Sequence, residues 1–139
     1  MSSSLVLFVD DEPWYHEAIR FTLESKGYEC KSVTNMTDAL AAMEQENISV
    51  VVTDIMMPAG EKFPHVDSQE TGFHLIRILR ERWPDAAIVC LSVIGDSAKI
   101  REVRRLGVDY LRKGEVPLAT VIQAIEGASG KGGKRTWRY

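Results

Sequence analysis

Leu5-Val6-Leu7-Phe8-Val9-Asp10-Asp11 runs five apolar residues straight into two carboxylates. A run this short, apolar at every position, reads as a strand covered on both faces. That is the pattern of a parallel sheet flanked by helices. The pattern recurs along the chain. Residues 28–33 alternate and read as a strand near an edge, and 48–53 (Ile-Ser-Val-Val-Val-Thr) are rich in β-branched residues and stop on Asp54. Ala87–Ser92 gives a fourth run and 108–111 a short fifth, closely followed by Lys113.

The stretches between these runs carry helical spacing. Pro13 suits a first helical turn, and Gly27 suits the residue just past that helix's end. A short helix is expected over 37–46. Another over 72–83 has Phe73, Ile76 and Leu79 at helical intervals and is stopped by Pro84. Asp96 or Ser97 can cap a fourth, whose Ile100, Val103 and Leu106 share a face before Gly107. A fifth over 117–126 buries Leu118, Val121, Ile122 and Ile125. Strand and helix in alternation predict an α/β fold with right-handed crossovers, in which function lies at the carboxyl ends of the strands.

Size and composition suit one domain: 139 residues, 45% apolar, 27% charged, formal net charge -3. A mildly acidic chain has no global pull toward nucleic acid or an anionic membrane. No run approaches the ~20 apolar residues of a membrane span, and no signal peptide is expected, so the chain is expected to stay in the cytoplasm. Cys30 and Cys90 both lie in apolar segments, without metal-binding spacing, and read as reduced thiols. The domain is expected over 1–127. Residues 128–139 are expected to form a basic flexible tail or linker stub, with Lys131, Lys134, Arg135 and Arg138 beside Trp137 and Tyr139.

The strand ends carry the chemistry. With the first and third strands adjacent, Asp10, Asp11 and Asp54 converge on one rim. Repulsion among them favours a hard divalent cation with oxygen ligands, for which Mg²⁺ is suited. Ser92 adds a hydroxyl, and Lys113 a point charge for a carboxylate or phosphoryl oxygen. Together these make a phosphoryl-transfer site in which catalysis is positioning and charge neutralisation. Singly, each residue has an ordinary reading: a helix-start acid, a loop carboxylate, a backbone-bonded hydroxyl, a solvated lysine. Their coincidence at successive strand ends is what carries weight.

Val9-Asp10-Asp11-Glu12-Pro13, Asp54-Ile55-Met56-Met57-Pro58, Ser92 and Asp109-Tyr110-Leu111-Arg112-Lys113 resemble, in order and spacing, the signature of response-regulator receiver domains over roughly residues 4–127. The resemblance implies a flavodoxin-like, doubly wound sheet of order 2-1-3-4-5. It implies Asp54 as phosphoacceptor, with Mg²⁺ (or Mn²⁺ in its place) held by Asp10, Asp11, Asp54 and the backbone carbonyl of Met56. Ser92 and Lys113 would contact the phosphoryl group, and Tyr110 would be the aromatic that swings inward. The donor would be a sensor histidine kinase or a histidine phosphotransfer protein. The output would be a downstream target or an output domain outside these residues, with a phosphorylation-linked homodimer through the fourth helix, fifth strand and fifth helix. Such a domain is a regulator rather than an enzyme on other substrates, and binds neither nucleic acid nor membrane.

Three departures from that pattern stand out. Gly114 replaces the usual proline after the lysine. The loop 57–71 is about ten residues longer than the family's turn, a length that usually marks function or mobility. Its Phe63 and Val66 are expected to anchor it, and its neighbours His65, Asp67 and His74 fit no metal motif. Met56 and Ile94, at positions flanking the hydrolytic water, are apolar and predict slow phosphate loss. The competing reading is a phosphorylation-independent interaction module (a pseudo-receiver) regulated through the 57–71 loop, with Gly114 as its best support.

Overall fold

The computed structural model describes residues 4–93 and 96–130. Five parallel strands, β1 (Leu5–Val9), β2 (Glu29–Val33), β3 (Val50–Thr53), β4 (Ala87–Ser92) and β5 (Asp109–Arg112), form one sheet of order β2-β1-β3-β4-β5. Between and after them lie α1 (Glu17–Ser25), α2 (Met36–Gln45), α3 (Thr71–Arg82), α4 (Ser97–Arg105) and α5 (Leu118–Ser129). This is the flavodoxin-like order that the family resemblance implies, on the α/β class that the strand–helix rhythm predicts.

Successive side chains of a strand point to opposite faces, and the sheet divides its core accordingly. Leu7, Val9, Val51, Ile88 and Cys90 pack with residues of α2, α3 and α4. Val6, Phe8, Val50, Val52, Val89 and Leu91 pack with residues of α1 and α5. The alternating strand β2 lies at the sheet edge and is only partly covered.

Two local expectations shift. Pro13 opens a 3-10 turn, Pro13–His16, before α1 begins. The fifth helix, expected over 117–126, runs on through Gly127 to Ser129 and closes at Gly130 in the left-handed region. Tertiary partners hold that last turn: Tyr28 Oη lies 3.0 Å from Ser129 Oγ, and Lys26 pairs with Glu126 at 3.3 Å. The tail lysines and arginines expected to be flexible lie at 131–139, outside the described residues.

The 57–71 loop is ordered by its own backbone. Met57 N–H donates to the Ser68 carbonyl at 2.9 Å, closing its base, and Thr71 already belongs to α3. The carbonyls of Pro58 and Ala59 accept from Met36 and Thr37, the first N–H groups of α2, which need partners outside the helix. Phe63 and Val66 pack on the α2–α3 side of the core, as their apolar character predicts. Gly60, at φ +99°, leaves no room for a side chain against Thr37 and Asn35.

Candidate functional site

The sheet ladder continues past the ends of β1, β3 and β5 and thereby fixes the rim. Asp10 N–H donates to the Val33 carbonyl at 3.1 Å, Asp54 N–H to Val9 at 3.0 Å, and Lys113 N–H to Ser92 at 2.9 Å. Aligned strand ends thus deliver the two aspartates and the lysine to one place. Lys113 Nζ lies 2.7 Å from Asp10 Oδ2, 2.9 Å from Asp54 Oδ2 and 3.8 Å from Glu12 Oε1. The other Asp54 oxygen, Oδ1, accepts from Ile55 N–H at 2.6 Å. All three central groups are buried: Asp10, Asp54 and Lys113 are 6%, 5% and 7% exposed.

The carboxylates that gather are Asp10, Glu12 and Asp54, with one oxygen from each within 4.8 Å of the others. Sequence reading named Asp11 in place of Glu12. The reason is local. Asp10 Oδ1 accepts from Glu12 N–H at 2.9 Å, a turn that brings Glu12 back over the rim, while Asp11 stays exposed on the wall of the same cleft. Hard oxygen donors in excess over a single ammonium are the donor set of a divalent-cation site.

Burial pushes Asp10 upward from its ordinary carboxylate value, more than the Lys113 and Glu12 hydrogen bonds lower it. Burial alone would lower Lys113, but its hydrogen bonds to Asp10 and Asp54 win and hold it above its ordinary value, so it stays charged. Gly114 does not draw Lys113 out of the site: it follows at φ +80°, among described residues that contain no cis peptide.

The cleft above Asp54 has a volume of about 380 Å³. Asp11, Glu12 and Lys113 line it together with Met56, Val93 and residues from both ends of the long loop, Met57 and Pro58 and Ser68 and Gln69. The loop therefore walls the cleft beside Asp54. Ser92 is fully buried at the end of β4. Tyr110, expected to swing, lies buried with its Oη donating to the Ser92 carbonyl at 3.4 Å. Burial, then the neighbouring Cys90, raises its phenol above its usual value. Met56 is 40% exposed at the cleft; Ile94 lies outside the described residues. Cys30 and Cys90 are both free thiols. No helix among the described residues is long and apolar enough to cross a membrane.

Gly72 sets how close α3 approaches the acceptor. Its N–H donates to the Ile55 carbonyl at 2.9 Å, and a Cβ there would lie 2.3 Å from the Asp54 carbonyl oxygen and 2.4 Å from Ile55 Cα. Both obstacles are backbone. Gly72→Ala is expected to cost about 2–3 kcal/mol, read from urea unfolding midpoints. A loss under ~0.5 kcal/mol, the scale of an ordinary surface change, would show that the contact yields freely.

Comparison with known proteins gives a consistent result. The Response regulator receiver domain family model matches residues 6–126. The hydrogenase transcriptional regulatory protein HoxA of Cupriavidus necator is 32% identical over 126 residues, which are 87% of this chain and 24% of HoxA. An NtrX-like putative response regulator of Rickettsia conorii is 28% identical, over 81% of this chain and 22% of its own length. The chain thus spans about a quarter of the length of these relatives. Among solved structures, a response regulator receiver protein from Pseudomonas putida superposes with a TM-score of 0.75 at 26% identity, covering 91% of this chain and 98% of that one. With the family matched over nearly all the described chain and the strand order and acidic rim in place, this chain belongs to the response regulator receiver domain family of two-component signalling.

Proposed function

We propose that this domain accepts a phosphoryl group on Asp54 from a phosphohistidine donor, a sensor histidine kinase or a histidine phosphotransfer protein. The observation that carries the reading is the bifurcated contact of Lys113 Nζ, 2.9 Å from Asp54 and 2.7 Å from Asp10, in a carboxylate-lined cleft. Ile55 N–H holds Asp54 Oδ1 and Lys113 holds Oδ2, so the carboxylate is oriented for attack. The P–N bond of the donor breaks, its electron pair stays on the imidazole, and a P–O bond forms to Asp54. Asp10, Glu12 and Asp54, with Asp11 and the Met56 carbonyl at the wall, are the groups to hold Mg²⁺ or Mn²⁺. When bound, that cation neutralises charge on the transferring phosphoryl oxygens. Lys113 follows the charge from the carboxylate onto the phosphoryl group, and the Ser92 hydroxyl turns toward it. That movement biases the α4–β5–α5 surface, where Tyr110 packs, between two states.

The unit doing this is taken as residues 1–127 with the rest of α5. We place it in the cytoplasm, acting on a downstream target or an output domain, with a homodimer through α4–β5–α5 as one form of the switched state. It acts on its own aspartate only, and its mild acidity gives it no affinity for nucleic acid.

Incubation with Mg²⁺ and acetyl phosphate should add the mass of one phosphoryl group, and Asp54→Asn should abolish the gain. No gain from any donor would favour the phosphorylation-independent module regulated through the 57–71 loop. The exposed thioether of Met56 cannot orient an attacking water by a hydrogen bond. The phosphoryl group is therefore expected to be lost slowly, and Met56→Asn to hasten the loss roughly tenfold, the scale of one hydrogen bond. A wild-type half-life of seconds would refute this.

A further inference from the structure

We propose that Tyr15 is the positioning residue for Lys113, an inference that rests on the phosphoacceptor reading above. Its ring holds the ammonium when a divalent cation takes the carboxylates, and its hydroxyl fixes the backbone from which Lys113 projects.

Among the described residues, Lys113 Nζ meets Asp10, Asp54, Glu12 and the face of Tyr15, whose ring centroid lies 4.7 Å away. The three carboxylates are the same groups that gather around the metal position. A cation drawn there takes up their lone pairs and repels the ammonium. Lysine has a flexible four-carbon stem, so an ammonium held by those carboxylates alone is free to swing into solvent. The ring quadrupole is no ligand for a hard cation. Its attraction for the ammonium, effective within about 6 Å, survives metal binding.

The second contact acts on the backbone. Gly114 N–H donates to Tyr15 Oη at 2.6 Å. The related pattern has proline here, which has no N–H and a fixed φ. Glycine leaves the chain free to rotate, and at φ +80° nothing within 4 Å of a built Cβ would restrain it sterically. The bond to Tyr15 supplies a restraint that proline would have supplied by its ring, immediately after the lysine. Tyr15 is 36% exposed and belongs to neither core cluster, so its replacement leaves the packing of the sheet intact.

The test compares the full-length wild type with Tyr15→Phe, which keeps the ring, and Tyr15→Leu, which removes ring and hydroxyl. In both variants the Gly114 amide should lose its protection from hydrogen exchange. With Mg²⁺ present, acylation of Lys113 at fixed pH, followed by peptide mass spectrometry, should rise in Tyr15→Leu and stay low in wild type and Tyr15→Phe. Phosphorylation by phosphoramidate with Mg²⁺ should slow about threefold in Tyr15→Phe and tenfold or more in Tyr15→Leu, the scale of one hydrogen bond and one partly desolvated cation–π contact. Lys113 equally protected in Tyr15→Leu and wild type, or wild-type phosphorylation rates in Tyr15→Leu, would overturn the proposal. A wild type that takes no phosphoryl group from any donor would instead overturn the phosphoacceptor reading. The exchange and acylation measurements then still decide the role of Tyr15.

Discussion

Replacing Lys113 by methionine is expected to lower the stability of the domain at pH 7, without metal, by about 3 kcal/mol. The ammonium is buried between Asp10 and Asp54, both themselves buried, with Glu12 beyond them. Methionine fills a similar volume, so the loss is electrostatic rather than a cavity. Removing one partner of a buried pair leaves the other charges uncompensated, which costs far more than the pair contributes. The variant can limit the damage only by protonating a carboxylate, so its stability should recover as pH falls. Asp10→Asn should move the other way. Burial raises the Asp10 carboxyl, so its ionised form is penalised in the folded state. That group's stability is fully present below the unfolded value near 3.8 and is lost as pH rises through the raised folded one. At pH 7 the asparagine variant should be the more stable, with the advantage fading toward acid. Urea unfolding of the three proteins at pH 5 and 7 reads both effects. A Lys113→Met variant within ~1 kcal/mol of wild type at pH 7, the worth of an exposed ion pair, would mean that water screens the site.

The second large effect belongs to His16, a buried histidine that sequence reading did not single out. Its ring stacks on Phe8 at 4.6 Å between centroids, with Nε2 3.1 Å from Ser32 Oγ. Burial, then the positive charges of Lys113 and Arg20, push it down to about 4 from 6.5. The unfolded chain therefore takes up this proton first as pH falls. Stability is full above about 6.5 and is lost progressively toward about 4, a loss amounting to about 3 kcal/mol at the acid end. Protonation of Asp10 offsets part of it in the lower range. Wild type should therefore lose stability steeply between pH 6.5 and 4, and His16→Gln should flatten that slope even if its stability at pH 7 is lower. Parallel profiles for the two proteins would remove His16 from the account.

Much of the site was legible in the sequence because the relevant signals are local. Asp10, Asp54, Ser92 and Lys113 stand at or just after the ends of apolar runs, and in a parallel sheet strand ends share a rim. That the Glu12 carboxylate gathers with those of Asp10 and Asp54 was not legible. It depends on a turn closed by the Asp10 side chain, which accepts from Glu12 N–H and brings the Glu12 carboxylate within reach of Asp10 and Asp54. The 57–71 loop showed no period, since turns bonded to α2 and α3 need none. Its Ser68 and Gln69 reach the cleft only because Met57 and Ser68 close its base. The fifth helix runs past the end at 126 that the sequence predicts: glycine at 127 is a poor helix former locally, but contacts of Glu126 with Lys26 and of Ser129 with Tyr28 outweigh that cost.

By itself the sequence determined the alternation of strand and helix, the class of fold and which residues end each strand, since hydrophobic period and turn chemistry are properties of neighbours along the chain. Tertiary structure decided what meets across it: Tyr15 with Gly114 and Lys113, Gly72 with Asp54, His16 with Phe8 and Ser32. Such pairings join segments 8 to 99 residues apart. They depend on how the sheet twists and how helices dock on it, and no local periodicity encodes that.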